Sequence, residues 1–194
     1  MKKFKLIIIL FCFHWSGITA QTTSPTGTAT SPVKKSTKAK TKKSPTKYVV
    51  SGEVTESLQY CGGMRPSEEM LAERKTPRPY VNKKFHIRKG NKNSLASPVL
   101  LSFTADSNGY FSFDLPPGTY SIIQTDQVKK LDHQKYMVQH VKVDEPCLKT
   151  WWAEPYYILE IRNENITGLK FHFEHRCFLE GDVPCRRYTG PMPP

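Results

Sequence analysis

The chain has 194 residues, 29 Lys and Arg against 17 Asp and Glu, and a formal net charge of +12. At 38% hydrophobic and 11% aromatic residues it carries enough apolar material for one core, which excludes a wholly disordered chain. The first 47 residues hold ten of the lysines and no acid, so residues 48–194 are left at only +2; a strongly cationic body of the kind that grips nucleic acid is excluded.

Lys2, Lys3 and Lys5, the apolar stretch 6–13 and Ile18-Thr19-Ala20 ahead of Gln21 read as a secretory signal peptide over residues 1–20. The stretch is too short to cross a bilayer, which takes roughly 20 apolar residues, and no later segment comes close. Cys12 raises the question of lipidation, but Phe11 stands where a small residue is expected before a lipidated cysteine. Residues 21–47, rich in Thr, Ser, Pro and Lys, offer nothing to bury and read as a disordered tether. The tether is either a solvated spacer or a basic arm touching anionic envelope surfaces. The address expected is export: periplasmic, cell-surface associated or secreted.

Residues 48–194 are expected to form one domain. YVVSGEVT (48–55) is a strand with a glycine suited to a bulge or bend. The insertion 56–81 contains PSEEMLAERK (66–75), read as a short helix: Pro66 at the first helical position, Glu68 and Glu69 at the positive end, Arg74 and Lys75 at the other. Met70 and Leu71 are expected to pack it against a sheet edge. KFHIRK (84–89) alternates, with Phe85 and Ile87 inward and Lys84, His86 and Arg88 outward. VLLSFTA (99–105) puts Val99, Leu101 and Phe103 on one face. DSNG (106–109) is turn chemistry, with a fragment of a calcium loop as the alternative.

YFSFDL then alternates Phe111, Phe113 and Leu115 inward, breaks at Pro116-Pro117-Gly118, and Tyr120 and Ile122 re-enter the core from the next strand. Residues 136–143 are read as a strand with muddled alternation. YYILEIR (156–162) places Tyr157, Leu159 and Ile161 opposite Tyr156, Ile158 and Glu160. LKFHFEH (169–175) aligns Leu169, Phe171 and Phe173. About seven or eight short strands with turns between them point to an all-β, antiparallel sandwich of prealbumin or Ig-like type with one short helix in its insertion.

Without Cys12, four cysteines remain, which in an exported chain favours two disulfides. Three pairings are open. Cys177–Cys185 is favoured because it closes the turn-rich loop FLEGDVP, and Cys61–Cys147 then pins the insertion. Zinc held by His172, His175, Cys177 and Cys185 is the rival, weakened because the two histidines fall on opposite faces of a strand and no paired CxxC exists.

The opening Gly52-x-Val54, followed by Asp106, Gly109, Phe111, Phe113, Leu115, Pro116, Pro117, Gly118 and Tyr120 in the pattern D-x-x-G-x-F-x-F-x-L-P-P-G-x-Y, resembles the carboxypeptidase regulatory-like domain, a prealbumin-type sandwich with a carbohydrate-binding-like fold. The resemblance spans residues 48–123, and the insertion YCGGMRPSEEML departs from the simple family pattern. Leader, tether and domain together resemble small exported proteins of Bacteroidetes-type bacteria. What this implies is an accessory, folding or binding module. The HxxE ligand pattern of zinc carboxypeptidases is missing, as are GxSxG, Walker and EF-hand motifs.

The binding candidates are Trp151 and Trp152 with Tyr156, a platform for sugar rings or an apolar partner if exposed and a cap on the sandwich if not. Arg65 and Arg78 are the second candidate, as an anion-recognition pair beside Cys61-Gly62-Gly63. Asn165-Ile166-Thr167 is a glycosylation sequon. The expectation is a non-enzymatic module binding a glycan or protein at the cell envelope, with no cofactor or metal. The alternatives are an assembly module acting through a sheet edge, or a transthyretin-like hydrolase, which needs distant His, Arg and Ser residues to converge.

Overall fold

The computed structural model describes residues 45–191. The signal peptide at 1–20, Cys12 and most of the tether at 21–47 lie outside the described residues. Within them, two sheets face each other. The first is centred on β1 (Tyr48–Leu58), which pairs antiparallel with β2 (Arg78–Pro79) and with β5 (Tyr110–Leu115), and parallel with β9 (Ile166–His175). The second has the antiparallel order β4-β3-β6-β8, built from β3 (Lys84–Lys89), β4 (Val99–Thr104), β6 (Gly118–Gln124) and β8 (Tyr157–Ile161). This is the all-β sandwich expected, with one difference: the first and last long strands run parallel. A separate ribbon joins β7 (Val141–Val143) to β10 (Arg186–Tyr188).

The aromatic alternation builds the core. Phe111, Phe113 and Leu115 are buried on the inner face of β5, and Phe171 and Phe173 on that of β9. Phe103 from the facing sheet sits 4.8 Å from Phe111 and 4.6 Å from Phe113, ring centre to ring centre, with Phe85 stacked on it at 5.3 Å. After the Pro116-Pro117-Gly118 break, the Tyr120 ring returns to the core and its hydroxyl donates to Pro116 O at 2.9 Å. One side chain thus fills the interior and ties back the corner that delivers it.

Gly52 is needed for a close approach. The pairing of β1 with β9 slips between Val50 and Gly52, and a Cβ at residue 52 would lie 2.2 Å from the Leu169 carbonyl oxygen. That oxygen belongs to backbone and cannot swing aside. Gly52→Ala is therefore expected to destabilise the domain by about 1–3 kcal/mol, the range for overpacking, measured by urea titration. A neutral result would mean that the β1–β9 pairing is looser than this.

Several local expectations are corrected. Residues 136–143 are not one strand: a 3-10 turn at Gln134–Tyr136 buries Tyr136, and only β7 is extended. His140, at φ 60°, breaks the run between them. Among the described residues there are two α-helices rather than one. α1 (Glu68–Lys75) starts later than expected: Ser67 is its N-cap, accepting from Met70 N at 3.2 Å, so Pro66 precedes the cap. The charges at its ends fall as expected, but no residue of α1 is buried and Met70 is largely exposed, so it is not packed down by that side chain. α2 (Glu145–Ala153) replaces the expected loop. Asp144 caps it, accepting from Cys147 N at 3.0 Å, with Pro146 in the first turn.

The outer face of the β3–β6 region is also not solvent-facing. His86 and Arg88, expected outward, are buried beneath a third layer made by the loop after β3, the 3-10 turn at Thr125–Gln127 and the end of α2. The layer is polar. Arg88 donates through Nη1 to Ser94 O and through Nη2 to Val128 O at 2.6 Å. Asn93 Nδ2 donates to Gln127 O and Trp152 O, and Gln127 Nε2 donates to Trp151 O and Glu154 O. Buried side chains here satisfy loop carbonyls that no ladder reaches. Burial, helped by Lys84 and Arg88, pushes the His86 imidazole below its usual range; it is held between Ser102 Oγ at 2.7 Å and Thr125 Oγ1 at 3.3 Å.

Cys61, Cys147, Cys177 and Cys185 are all oxidised, but in the pairing Cys61–Cys177 and Cys147–Cys185, not the one favoured from sequence. The loop FLEGDVP does not close on itself because its two ends serve different bodies. Cys177, just after β9, reaches the insertion, and Cys185 reaches α2. Two bridges fit an oxidising, extracellular compartment. Among the described residues no helix is long and apolar enough to cross a membrane.

Candidate functional site

The second bridge lies in a satellite core of Tyr136, Leu148, Val183 and Cys185, with Trp151 packed against it. This cluster holds α2 beside the end of β9, next to a recess that takes in two of the predicted site residues. It is a pocket of about 340 Å³ walled by Trp151 and Tyr156 and floored by Gln124, Phe173 and Asp182, with Arg176 at the rim. Tyr156 stacks on Phe173 at 4.9 Å and donates to His172 O at 3.2 Å, so it lies against the sandwich. Its phenol is raised, chiefly by burial.

Beneath the pocket runs an ionic network. Asp182, its side chain 5% exposed, pairs with Lys83 and accepts from Tyr80 Oη at 3.0 Å. Lys83 also donates to Gln124 Oε1 at 3.3 Å and lies 4.4 Å from the centre of the Phe173 ring, a cation–π contact. His175 Nε2 meets Glu56 Oε2 at 2.6 Å while its Nδ1 is 3.7 Å from Asp182. Glu56 in turn takes Arg78 Nε at 3.0 Å. Burial first, and then Asp182, pushes the Tyr80 phenol far above its usual range, so it stays a donor.

The predicted residues therefore separate. Trp151 and Tyr156 come together in one pocket. Trp152 does not join them: successive helical residues point about 100° apart, and its Nε1 donates to Lys129 O at 2.8 Å. Arg78 is drawn into the ionic network through Glu56, while Arg65 sits exposed in the insertion. His172 and His175 do fall on opposite faces of β9: His172 lies between Thr55 Oγ1 at 2.9 Å and Ser57 Oγ at 3.1 Å, and His175 faces Glu56. The zinc alternative loses both of its cysteines to disulfides. At the 106–109 turn, Asp106 Oδ1 accepts from Asn108 N and Tyr110 N, the bonding of a plain turn. The sequon asparagine is engaged too, Asn165 Oδ1 accepting from Val49 N at 2.9 Å.

Sequence reasoning missed Asp182, Lys83, Gln124 and Arg176. Asp182 was read only as part of a loop between cysteines. Its role depends on residues about one hundred positions away, which no local pattern reveals. Arg176 is used structurally, donating to Arg186 O at 3.0 Å and Val183 O at 2.8 Å.

No protein-family model and no curated protein sequence matches the chain. Among solved structures, the Bacillus anthracis TIE protein is 17% identical over 66% of this chain, at a TM-score of 0.29, and the chain spans only 17% of its length. The major plantain pollen allergen Pla l 1 is 14% identical over 72% of this chain and 98% of its own, at a TM-score of 0.26. Likenesses this slight carry no argument about fold or function.

Proposed function

We propose that this chain is an exported, non-enzymatic binding module of the cell envelope, similar in kind to carboxypeptidase regulatory-like domains, that takes a glycan in the pocket between Trp151 and Tyr156. The observation that supports the reading is the convergence there of two half-buried aromatic walls on a polar floor. Aromatic faces match the apolar C–H faces of sugar rings, and the carboxamide and carboxylate at the base match hydroxyls. The recess suits a chain end rather than a long chain. His86 on β3 and His172 and His175 on the two faces of β9 stand in three separate places, which favours binding over the hydrolase alternative. In this reading the lysine-rich segment 21–47 touches anionic envelope surfaces while the folded part holds the ligand.

The test is titration of purified protein with fractionated envelope glycans and envelope proteins, wild type beside Trp151→Leu. Leucine keeps apolar volume against Leu148 and Val183 while removing the ring wall. The expected result is glycan binding weakened roughly tenfold in the variant, the size of one lost aromatic contact. A folded wild type that binds no glycan fraction, or a Trp151→Leu protein that binds as well as wild type, sinks the reading.

A further inference from the structure

A larger recess lies elsewhere, on the outer face of the β5–β1–β9 sheet. It is an open trough of about 760 Å³. Small residues floor it: Ser51 and Ser112 sit opposite each other in the β1–β5 ladder, and Gly168 lies alongside. Gly168 adopts φ +74°, and a Cβ there would meet no heavy atom within 4 Å, so its missing side chain leaves open space. Tyr110, 56% exposed, borders it, and its backbone N–H is tied to Asp106 Oδ1 at 2.9 Å. On the same rung of the sheet, Glu53 pairs with Lys170 at 3.3 Å, with the lysine 80% exposed.

We infer that this trough is a second binding site, for the interior of an extended, neutral oligosaccharide. Three observations select that occupant. The site lies on a sheet face whose strands are already paired on both sides of β1, Ser51 with Ser112, Glu53 with Tyr110 and also with Lys170, so a peptide strand cannot add to the ladder there. Recognition must come from side chains. The exposed tyrosine face and the facing hydroxyls offer one apolar surface and several polar contacts, the pattern that a pyranose ring presents in reverse. The charges are internally balanced: Lys170 is paired with Glu53, and the one further carboxylate, Asp106, is turned onto its own loop. A polyanion finds no uncompensated cation and a polycation no uncovered acidic patch. The trough is open along its length, so a chain can run through it without presenting an end.

The inference does not depend on the Trp151 pocket, and the experiment separates the two. Nitrogen-15-labelled protein is titrated with gluco- and manno-hexasaccharides, with a polygalacturonate fragment and with a synthetic peptide of residues 21–44. The variants are Tyr110→Ala, Ser112→Trp, which fills the floor of an exposed strand, and Trp151→Leu. The expected result is amide shifts at Ser51, Glu53, Ser112 and Lys170 on adding a neutral hexasaccharide. The affinity read from those amides should fall roughly tenfold or more in Tyr110→Ala and Ser112→Trp, whereas binding read at the Trp151 pocket responds to Trp151→Leu. Shifts produced only by the peptide, or only by the polyanion, overturn the inference. So does a neutral sugar whose binding is lost in Trp151→Leu and kept in both trough variants, or a folded wild type that shows no shift with either hexasaccharide at millimolar concentration.

Discussion

Replacing Cys61 and Cys177 together by serine is expected to cost about 4–5 kcal/mol of unfolding free energy. Replacing Cys147 and Cys185 should cost about 4 kcal/mol. The difference follows from the chain each bridge closes: 116 residues separate the first pair and 38 the second. In the chain-entropy account the cost grows with the logarithm of loop length, so the two double variants should differ by about 1 kcal/mol. Urea titrations without reductant measure both. The bridges also hold different things. Cys61–Cys177 fastens the insertion to the end of β9, and Cys147–Cys185 fastens α2 over the satellite core. Loss of the shorter bridge should therefore disturb the Trp151 fluorescence environment first. If removing it costs more than removing the longer one, packing rather than chain entropy governs its contribution.

The second large effect is expected at Asp182. Asp182→Ala removes the carboxylate that neutralises Lys83 and accepts from Tyr80, leaving a cation 13% exposed among the rings of Phe173 and Phe85. Breaking one side of such a buried pair costs about 3–5 kcal/mol, because the surviving charge cannot be hydrated in place. The double variant Lys83→Met with Asp182→Leu keeps apolar volume and strands no charge, so it should recover most of that loss. Thermal melts of Lys83→Met, Asp182→Leu and the double variant form the cycle. Additive losses would show that Lys83 finds water when Asp182 is gone. Charge reversal by Asp182→Lys should be worse than either, since it sets two ammonium groups together.

The sheet layers were legible because their chemistry is local. Alternation in YFSFDL and LKFHFEH marks one face of each strand, and the Pro-Pro-Gly break marks the corner. The unread parts depend on what lies over a residue, not on its neighbours in the chain. His86 and Arg88 alternate as outward residues should, yet a third layer covers them, and polar outward positions give no warning of a polar lid. The helix at Glu145–Ala153 did leave a trace, since Asp144 two residues before Pro146 is an N-terminal signature. The reading from sequence makes no use of that signature and leaves the tandem tryptophans in a loop, as a platform or a cap. Of the candidate site, the pairing of Trp151 with Tyr156 was foreseen as a cluster. Its floor was not, because Asp182 and Gln124 arrive there from separate turns. The cysteine pairing failed for a related reason: proximity in sequence favoured Cys177–Cys185, but residues flanking a loop need not face each other.

The parallel contact between β1 and β9 also sets an order of events. Synthesis delivers the amino-terminal strand first, and its parallel neighbour begins at Ile166, more than one hundred residues later. Until that last ribbon arrives, one margin of the opening strand stays unsatisfied and able to recruit a stranger. A nascent molecule is thus most vulnerable to aggregation along β1. Assembly should be slow for a body of this size, because its central seam waits for nearly the whole polypeptide.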